Sequence, residues 1–340
     1  MISKGIGILP GNHLSYIDHV VPLCQIMGVP LLVTEPCVQE WVERFYPPMQ
    51  VILAEPEDFD LDPFLKDYDL FVYVDFFRRA SGCFQFQEYL SRRRVRSVMS
   101  LHGNPDKYWD MYWLERLGDE DIVLAYGPQL MDLVQKKRIP KQPVVSGNYR
   151  LAFYEQHAPF FDSKLPFKKE KKTLLYAPTW VAPGRRVACS EYSTFFEVYK
   201  KVFDTLSAEY QLIVKLHPYM VKMMPDEVER VVHDYPHIHF LNDFPLIYPL
   251  LKQVDLYLGD YSSIGYDFLY YDRPLFFLET QMPTALQKCG CKLRLEDLPF
   301  VEDRQKNEAR HELYHHVFGP CKPLDQLKRD IADACRSPAD

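Results

Sequence analysis

Short apolar runs alternate with segments of helical period along the whole chain. The runs of the first half are rich in β-branched residues and show no polar alternation, which is typical of strands buried on both faces. Amphipathic helices are predicted between several of them, and this alternation predicts a doubly wound parallel sheet. The runs are GIGIL (5–9), PLLVTE (30–35), QVILAE (50–55), DLFVYVDF (69–76), RSVMSLHG (96–103), IVLAYG (122–127) and PVVSG (143–147).

The pattern stops at 151–172, which we interpret as an interdomain connection, and then starts again. We therefore predict two Rossmann-like α/β domains, over 1–160 and 161–320, and a C-terminal helix over 321–340 that packs back on the first domain. Because ligands of such sheets bind beyond the carboxyl ends of strands, a ligand cleft between the domains is expected. The later runs are TLLYAPTW (173–180), QLIVKLHP (211–218), HIHFLND (237–243), DLYLGD (255–260) and PLFFLE (274–279).

Composition narrows the functional classes. The 340 residues carry a formal net charge of −7, which disfavours nucleic-acid binding. No apolar run is long enough to span a membrane, and the eight scattered cysteines are typical of a reduced, cytoplasmic protein. Two basic runs, Arg92–Arg96 and Lys168–Lys172, are either solvated surface or a patch for anionic lipid at the inner membrane face.

The run DYSSIGYD (260–267) places two hydroxyls where a buried strand turns into a helix. A simple helix cap needs only one small hydroxyl, so capping by Ser262 or Ser263 is one interpretation. The other is an anion site, because the first turn of a helix presents backbone N–H groups and a positive dipole end. Asp267, about one turn later, could then bind a ribose hydroxyl.

Further polar residues follow other predicted strands. In KLHP (215–218), Lys215 offers a point charge and His217 a proton donor, although both also fit an ordinary strand end. In SLHGNPDK (100–107), His102 precedes a glycine and could act as a general base or be a buried structural histidine. Thr179 of APTW adds a hydroxyl, and Arg150 of SGNYR is predicted to reach a phosphate.

Two other motifs suggest different chemistry. NHLSYID (12–18) has the His-x4-Asp spacing of glycerolipid acyltransferases, but the downstream phosphate motif of that family is not found. CGC (289–291) with HELYHH (311–316) offers zinc ligands, although Cys-x-Cys is not the common spacing. Neither a Walker loop nor a dinucleotide glycine fingerprint occurs, so no metal or cofactor is predicted.

The motifs HGNP, GNYR, YAPTW, KLHP and DYSSIGYDFLYYDRP form an ordered series over roughly 95–280. The series resembles the CDP-glycerol glycerophosphotransferase family, the primases and polymerases of teichoic acid. That resemblance implies a GT-B fold, with two Rossmann-like domains facing across a cleft, and transfer of glycerol phosphate from CDP-glycerol to an acceptor hydroxyl. The chain departs from the usual family pattern at Asn104, Val181 and Lys215.

The resemblance also implies roles for individual residues. His102 would be the general base, and His217 would stabilise the charge on the leaving CMP, since phosphoryl transfer depends mainly on positioning and electrostatics. The remaining predicted substrate-binding residues are Leu101, Gly103, Asn104, Pro105, Arg150, Pro178, Thr179, Lys215, Asp243, Ser262, Ser263, Ile264, Gly265, Tyr266 and Asp267.

Two alternatives remain open beside the phosphotransferase. DYSSIGYD also resembles the helix start of GT-B glycosyltransferases and epimerases that use a UDP- or CMP-sugar. A third possibility is a member that binds nucleotide without turnover. The expected partners are a nucleotide donor, a lipid-linked or polymeric hydroxyl acceptor, and a membrane surface contacted peripherally.

Overall fold

The computed structural model describes residues 4–54, 66–74, 95–104, 114–136, 139, 142–180, 195–278, 284–299 and 307–336. Among these, the chain divides into two compact units. Unit 1 contains the described residues of 4–104, 114–161 and 315–336, and unit 2 contains those of 162–314.

Unit 1 is built on a seven-stranded parallel sheet. The strand order is β3-β2-β1-β4-β5-β6-β7, so the order reverses between the neighbouring strands β1 and β4. Most of the central strands are fully buried, as their unbroken apolar sequences predict. The strands are β1 (Gly5–Leu9), β2 (Leu31–Val33), β3 (Val51–Leu53), β4 (Leu70–Tyr73), β5 (Arg96–Ser100), β6 (Ile122–Ala125) and β7 (Gln142–Val145).

The helices of unit 1 cover this sheet. Helix α1 is apolar almost all round and is buried, and it ends at Gly28, which adopts the left-handed conformation with φ 74°. The helices are α1 (Leu14–Met27), α2 (Pro36–Phe45), α3 (Pro128–Lys136), α4 (Tyr149–Gln156), α5 (Ala158–Asp162) and, at the C-terminus, α12 (Leu324–Arg336).

Unit 2 contains a six-stranded parallel sheet of the order β10-β9-β8-β11-β12-β13. Here the order reverses between β8 and β11, which pair directly from Leu174–Leu256 to Ala177–Gly259. The strands are β8 (Thr173–Ala177), β9 (Gln211–Val214), β10 (His239–Phe240), β11 (Leu256–Gly259), β12 (Leu275–Leu278) and β13 (Cys291–Leu293). Two parallel α/β sheets therefore confirm the predicted fold class.

The helices of unit 2 pack an aromatic-rich core against this sheet, with Phe195, Phe203 and Tyr176 at its centre. Helix α11 begins in unit 2 and ends in unit 1. The helices are α6 (Phe195–Leu206), α7 (Pro218–Met223), α8 (Pro225–Asp234), α9 (Ile247–Gln253), α10 (Ile264–Phe268) and α11 (Asn307–Phe318). None of the helices in the described ranges has the length and apolar content needed to cross a lipid bilayer.

Two segments differ from the sequence-based expectation. The segment 151–172 is not irregular throughout, because it opens with most of α4 and all of α5. Helix α4 buries Tyr149, Leu151 and Phe153 together with Tyr154, so its apolar positions do not follow one clean face. Strand β13 was not predicted, because its three residues are too few to show a period.

Candidate functional site

The carboxyl ends of β8 and β11 meet at the point where the strand order of unit 2 reverses. Pro178 and Thr179 follow β8 and are buried, and Asp260 follows β11 with 5% exposure. The backbone N–H of Thr179 donates to both carboxylate oxygens of Asp260, at 2.8 and 3.1 Å. Open α/β sheets bind their ligands at such a point, so the structure places the predicted residues Pro178 and Thr179 where a ligand site is expected.

The two serines lie directly after Asp260. Ser262 is 9% exposed, and Ser263 is half-buried and precedes α10. Their carbonyls accept the N–H groups of Gly265 and Tyr266, at 3.2 and 3.0 Å. The Ser263 side chain makes no capping bond within the described part of the chain, so simple capping does not account for it. Ile264, Gly265 and Tyr266 form the first turn.

Asp267 lies one turn into α10 and is 6% exposed. The hydroxyl of Tyr248, on α9, donates to Asp267 Oδ1 at 2.7 Å. Because both groups are buried, this hydrogen bond restrains the orientation of the carboxylate. Asp267, for which the sequence predicted a ribose contact, thus lies in the helix that follows the two serines and is tied to α9.

His217 follows β9 and begins α7. Its Nδ1 accepts the N–H of Tyr219 at 3.2 Å, so in the neutral ring the proton lies on Nε2. The His217 and Tyr219 rings are nearly parallel, with centroids 5.7 Å apart, and both contact the half-buried ring of Trp180. The imidazole is therefore supported on one side and presents an N–H donor from Nε2.

Lys215 has a different environment from the one predicted. Its side chain is 8% exposed, and its ammonium donates to the carbonyls of Phe244, at 2.6 Å, and Leu241, at 3.4 Å. Lys215 thus anchors the loop after β10, which also carries the exposed Asp243. The structure gives this lysine a structural partner where the sequence suggested a phosphate.

In unit 1, His102 lies beyond the carboxyl end of β5 and is exposed. Its Nδ1 lies 3.1 Å from the carbonyl oxygen of Val74, which follows β4, so Nδ1 must be the donor and Nε2 the basic nitrogen. The ring contacts Tyr16 at a centroid distance of 4.4 Å, and Tyr16 in turn stacks on His13 at 4.9 Å. His102 is therefore held in the tautomer that a general base requires.

The residues next to His102 fix its backbone. The carbonyl of Leu101 accepts the hydroxyl of Tyr126 at 2.6 Å, and Gly103 has φ 105°, a region that favours glycine. Asn104 is 7% exposed and donates to Gln129 Oε1 at 3.0 Å. The prediction for Pro105 lies outside the described residues.

Arg150 does not reach the edge of the sheet. It is 3% exposed and forms a buried ion pair with Asp18, whose side chain also accepts the hydroxyl of Tyr46 at 2.9 Å. The Arg150 Nε donates to the Asp18 carbonyl and to its Oδ2, both at 3.2 Å. Arg150 is therefore an internal residue of unit 1 whose partner is a carboxylate, where the sequence suggested a phosphate.

The side chains that the sequence suggested as zinc ligands make other contacts in the structure. Cys289 is buried and its Sγ donates to the carbonyl of Ala309 at 3.3 Å, while Cys291 begins β13. His311 lies 3.3 Å from Asp272. Across the described ranges, no group of three or more metal-ligating side chains occurs.

Three contributors to this site were not singled out from the sequence. Asp260, Tyr248 and Tyr219 each position another residue of the site. None of them has a spacing from the other site residues that would identify it in the sequence. Only Asp260 had a detectable signal, because it stands at the turn between a buried strand and the two serines. The second-domain residues that the structure brings to one sheet edge are Pro178, Thr179, Lys215, His217, Ser262, Ser263 and Asp267.

Comparison with known proteins gives a family match mainly in the part of the chain that forms unit 2. Residues 154–298 match the family model described as CDP-glycerol:poly(glycerophosphate) glycerophosphotransferase. The match covers less than half of the chain and contains most of the second-domain motifs, so the predicted resemblance is confirmed.

A teichoic acid glycerol-phosphate primase of Bacillus spizizenii is 35% identical over 133 residues, which cover 38% of this chain and 32% of the primase. The chain spans less than a third of the length of the curated teichoic acid primases and polymerase that it matches. The sequence similarity to these relatives thus covers one region of the chain.

The fold likeness extends further. A variant of the wall teichoic acid polymerase TagF, soaked with CDPG, matches over 97% of this chain and 87% of its own, with a TM-score of 0.67 at 14% identity. The UDP-GlcNAc 2-epimerase of Methanocaldococcus jannaschii matches over 97% and 99%, with a TM-score of 0.58 at 12% identity. At these identities the comparison shows the architecture alone.

Proposed function

We propose that the chain transfers glycerol phosphate, or a related polyol phosphate, from CDP-glycerol to an acceptor hydroxyl and releases CMP. The observation that carries this proposal is the edge of unit 2 where Asp260 joins the end of β11 to Thr179, beside Ser262, Ser263 and His217. The family match over residues 154–298 supports the identity of the donor.

In the proposed complex, the hydroxyls of Ser262 and Ser263 donate to the pyrophosphate of the donor. Asp267, oriented by Tyr248, accepts a hydroxyl of the ribose. The Nε2–H of His217 points to the phosphate that leaves with the nucleoside. Asp267 and His217 are oriented by Tyr248 and Tyr219 before the donor arrives, which lowers the reorganisation required during the reaction.

The chemical step forms one phosphorus–oxygen bond and breaks another. Nε2 of His102 takes the proton of the acceptor hydroxyl, whose oxygen attacks the phosphorus that carries the glycerol. The bond from that phosphorus to the CMP oxygen breaks, and the electron pair leaves on CMP. His217 donates a hydrogen bond to the charge that develops there.

We further propose that the acceptor is a lipid-linked or polymeric hydroxyl of a teichoic-acid-like surface polymer, and that the enzyme acts at the inner membrane face. The basic run at Lys168–Lys172 is exposed, but Lys169 pairs with Asp255 at 2.7 Å and Lys171 donates to the carbonyl of Ser207 at 3.0 Å. Arg96 of the other run donates to the carbonyl of Cys335. A peripheral contact through this run would therefore rest on Lys168.

The test is a calorimetric titration of the protein with CMP, CDP-glycerol, UDP and UDP-N-acetylglucosamine, followed by a turnover assay that detects CMP. Selective binding of the cytidine compounds is expected, and Ser263→Ala and His217→Ala should both weaken it. Selective binding of the uridine compounds would instead favour a sugar-nucleotide enzyme. Binding of the cytidine compounds without CMP release from any hydroxyl acceptor would favour a nucleotide sensor.

A further inference from the structure

Tyr257 reaches the edge of the donor site from within strand β11. It lies two residues before Gly259, so both positions face the same side of the sheet. A Cβ at Gly259 would collide with the hydroxyl and ring of Tyr257, and a Cβ at Gly265 would lie 3.4 Å from the same ring. Gly259 therefore leaves the space in which the Tyr257 ring lies along the strand and carries its hydroxyl towards the loop 260–263.

The Tyr257 hydroxyl is buried among polar groups of this loop. The residue is 0% exposed, and within the described residues its oxygen has no hydrogen-bond partner. It lies next to the Ser262 side chain and the backbone of Gly265, without hydrogen-bond geometry to either. Burial raises the pKa of Tyr257, and the nearby Asp260 carboxylate raises it further, so the hydroxyl keeps its proton.

Packing alone would favour phenylalanine at this position. The Tyr257 ring stacks on Phe268 at a centroid distance of 5.6 Å and contacts Phe277 at 6.1 Å, and a phenyl ring would make the same contacts. A buried hydroxyl without a partner costs about 1–3 kcal/mol, so such a group calls for an explanation. The position of the hydroxyl, beside the first of the two donor-site serines, points to one.

We propose that Tyr257 is a positioning residue of the donor site, whose hydroxyl donates to Ser262 Oγ once the donor is bound. A serine hydroxyl has one proton and two lone pairs. If Ser262 accepts from Tyr257, its own proton is directed to the phosphate, and the two hydrogen bonds polarise each other. This inference rests on the proposed donor site. It adds to that site a residue that acts on the donor through Ser262 and does not contact the donor itself.

The test is a double-mutant cycle on donor binding, with Tyr257→Phe, Ser262→Ala and the double variant. The dissociation constants of CMP and CDP-glycerol are measured by calorimetry, and the unfolding temperature is measured without ligand. Tyr257→Phe should weaken donor binding about 3- to 10-fold while leaving the unfolding temperature unchanged or higher. The double variant should bind no more weakly than Ser262→Ala.

Tyr235→Phe is the matched control, because it removes a hydroxyl that donates to Asp204, between helices of unit 2. Its donor affinity should equal that of the wild type. If the wild type binds the cytidine compounds and Tyr257→Phe binds them equally well, the inference is overturned and the proposed function stands. Additive effects in the double variant would also overturn it. If the wild type binds neither compound, the proposed function fails first and this inference fails with it.

Discussion

Thr179 and Asp260 join the carboxyl ends of two neighbouring strands through hydrogen bonds of 2.8 and 3.1 Å from one N–H to two carboxylate oxygens. The same carboxylate also accepts the N–H of Tyr261. A carboxylate that accepts several backbone N–H groups in a buried place fixes the loops on both sides of it. The Asp260 carboxylate therefore connects the motifs APTW and DYSS, and the position of the serines depends on it.

Asp260→Asn should lower both the donor affinity and the stability of unit 2. An asparagine retains one acceptor oxygen but turns an amide NH2 group towards a backbone N–H, which leaves a buried donor unpaired at a cost of about 1–3 kcal/mol. Calorimetric titration with CMP and thermal unfolding would measure the two effects.

Asp255→Asn is a matched control at the opposite ends of the same two strands. Asp255 Oδ2 accepts the N–H of Thr173 at 2.8 Å, just as Asp260 accepts that of Thr179. The control variant should lose stability but bind CMP with wild-type affinity. Equal losses of affinity in both variants would show that Asp260 acts only through folding.

His102→Asn should remove turnover and spare donor binding. The asparagine amide can replace Nδ1–H as the donor to the Val74 carbonyl, whereas it has no basic nitrogen in place of Nε2. Loss of a general base typically lowers the rate by about 10²- to 10⁴-fold. The release of CMP and the dissociation constant of CDP-glycerol are the measurements. A variant with wild-type turnover would remove His102 from the mechanism.

The alternation of apolar runs was sufficient to predict both sheets, because parallel strands that are buried on both faces leave unbroken apolar sequences. The same argument placed Thr179, His217 and Ser262 at one edge, since carboxyl ends of parallel strands share that edge. Both predictions depend on the pattern of the strands and need no knowledge of side-chain contacts.

The partners of buried charges could not be predicted in this way. Arg150 and Asp18 are 132 residues apart in the sequence, and their pairing depends on how α4 packs on α1. Lys215 stands in a motif that suggests phosphate binding, yet its ammonium is satisfied by two backbone carbonyls. A sequence shows that a cation is present, while its distance from the nearest acceptor is a property of the folded chain.

Lys215→Met distinguishes an anchor from a phosphate ligand. If Lys215 only holds the loop after β10, the variant should lose stability, while the dependence of CMP affinity on salt concentration should be unchanged. A lysine that paired with the donor phosphate would contribute a screened charge interaction, so its loss would flatten that dependence. Lys222→Met, at an exposed position of α7, is the control for the general effect of a lost lysine.

The stability of unit 1 should decrease below pH 6.5 because of His19. Burial lowers the pKa of His19 well below 6.5, and the Arg150 guanidinium lowers it further. The Nδ1–H of His19 donates to Tyr126 Oη at 3.1 Å, and that hydroxyl already donates to the Leu101 carbonyl behind His102. The folded ring therefore stays neutral where the unfolded ring takes up a proton.

As the pH falls below 6.5, proton uptake by His19 in the unfolded state lowers the free energy of unfolding by about 1.4 kcal/mol per pH unit, until the pKa of the folded ring is reached. His19→Asn keeps a donor for Tyr126 and removes the titration, so its stability should depend less on pH between 7.5 and about 5.5. Urea unfolding at both pH values measures the difference, with the exposed His316→Asn as control. If His19→Asn and the wild type lost the same stability in acid, His19 would not be the group responsible.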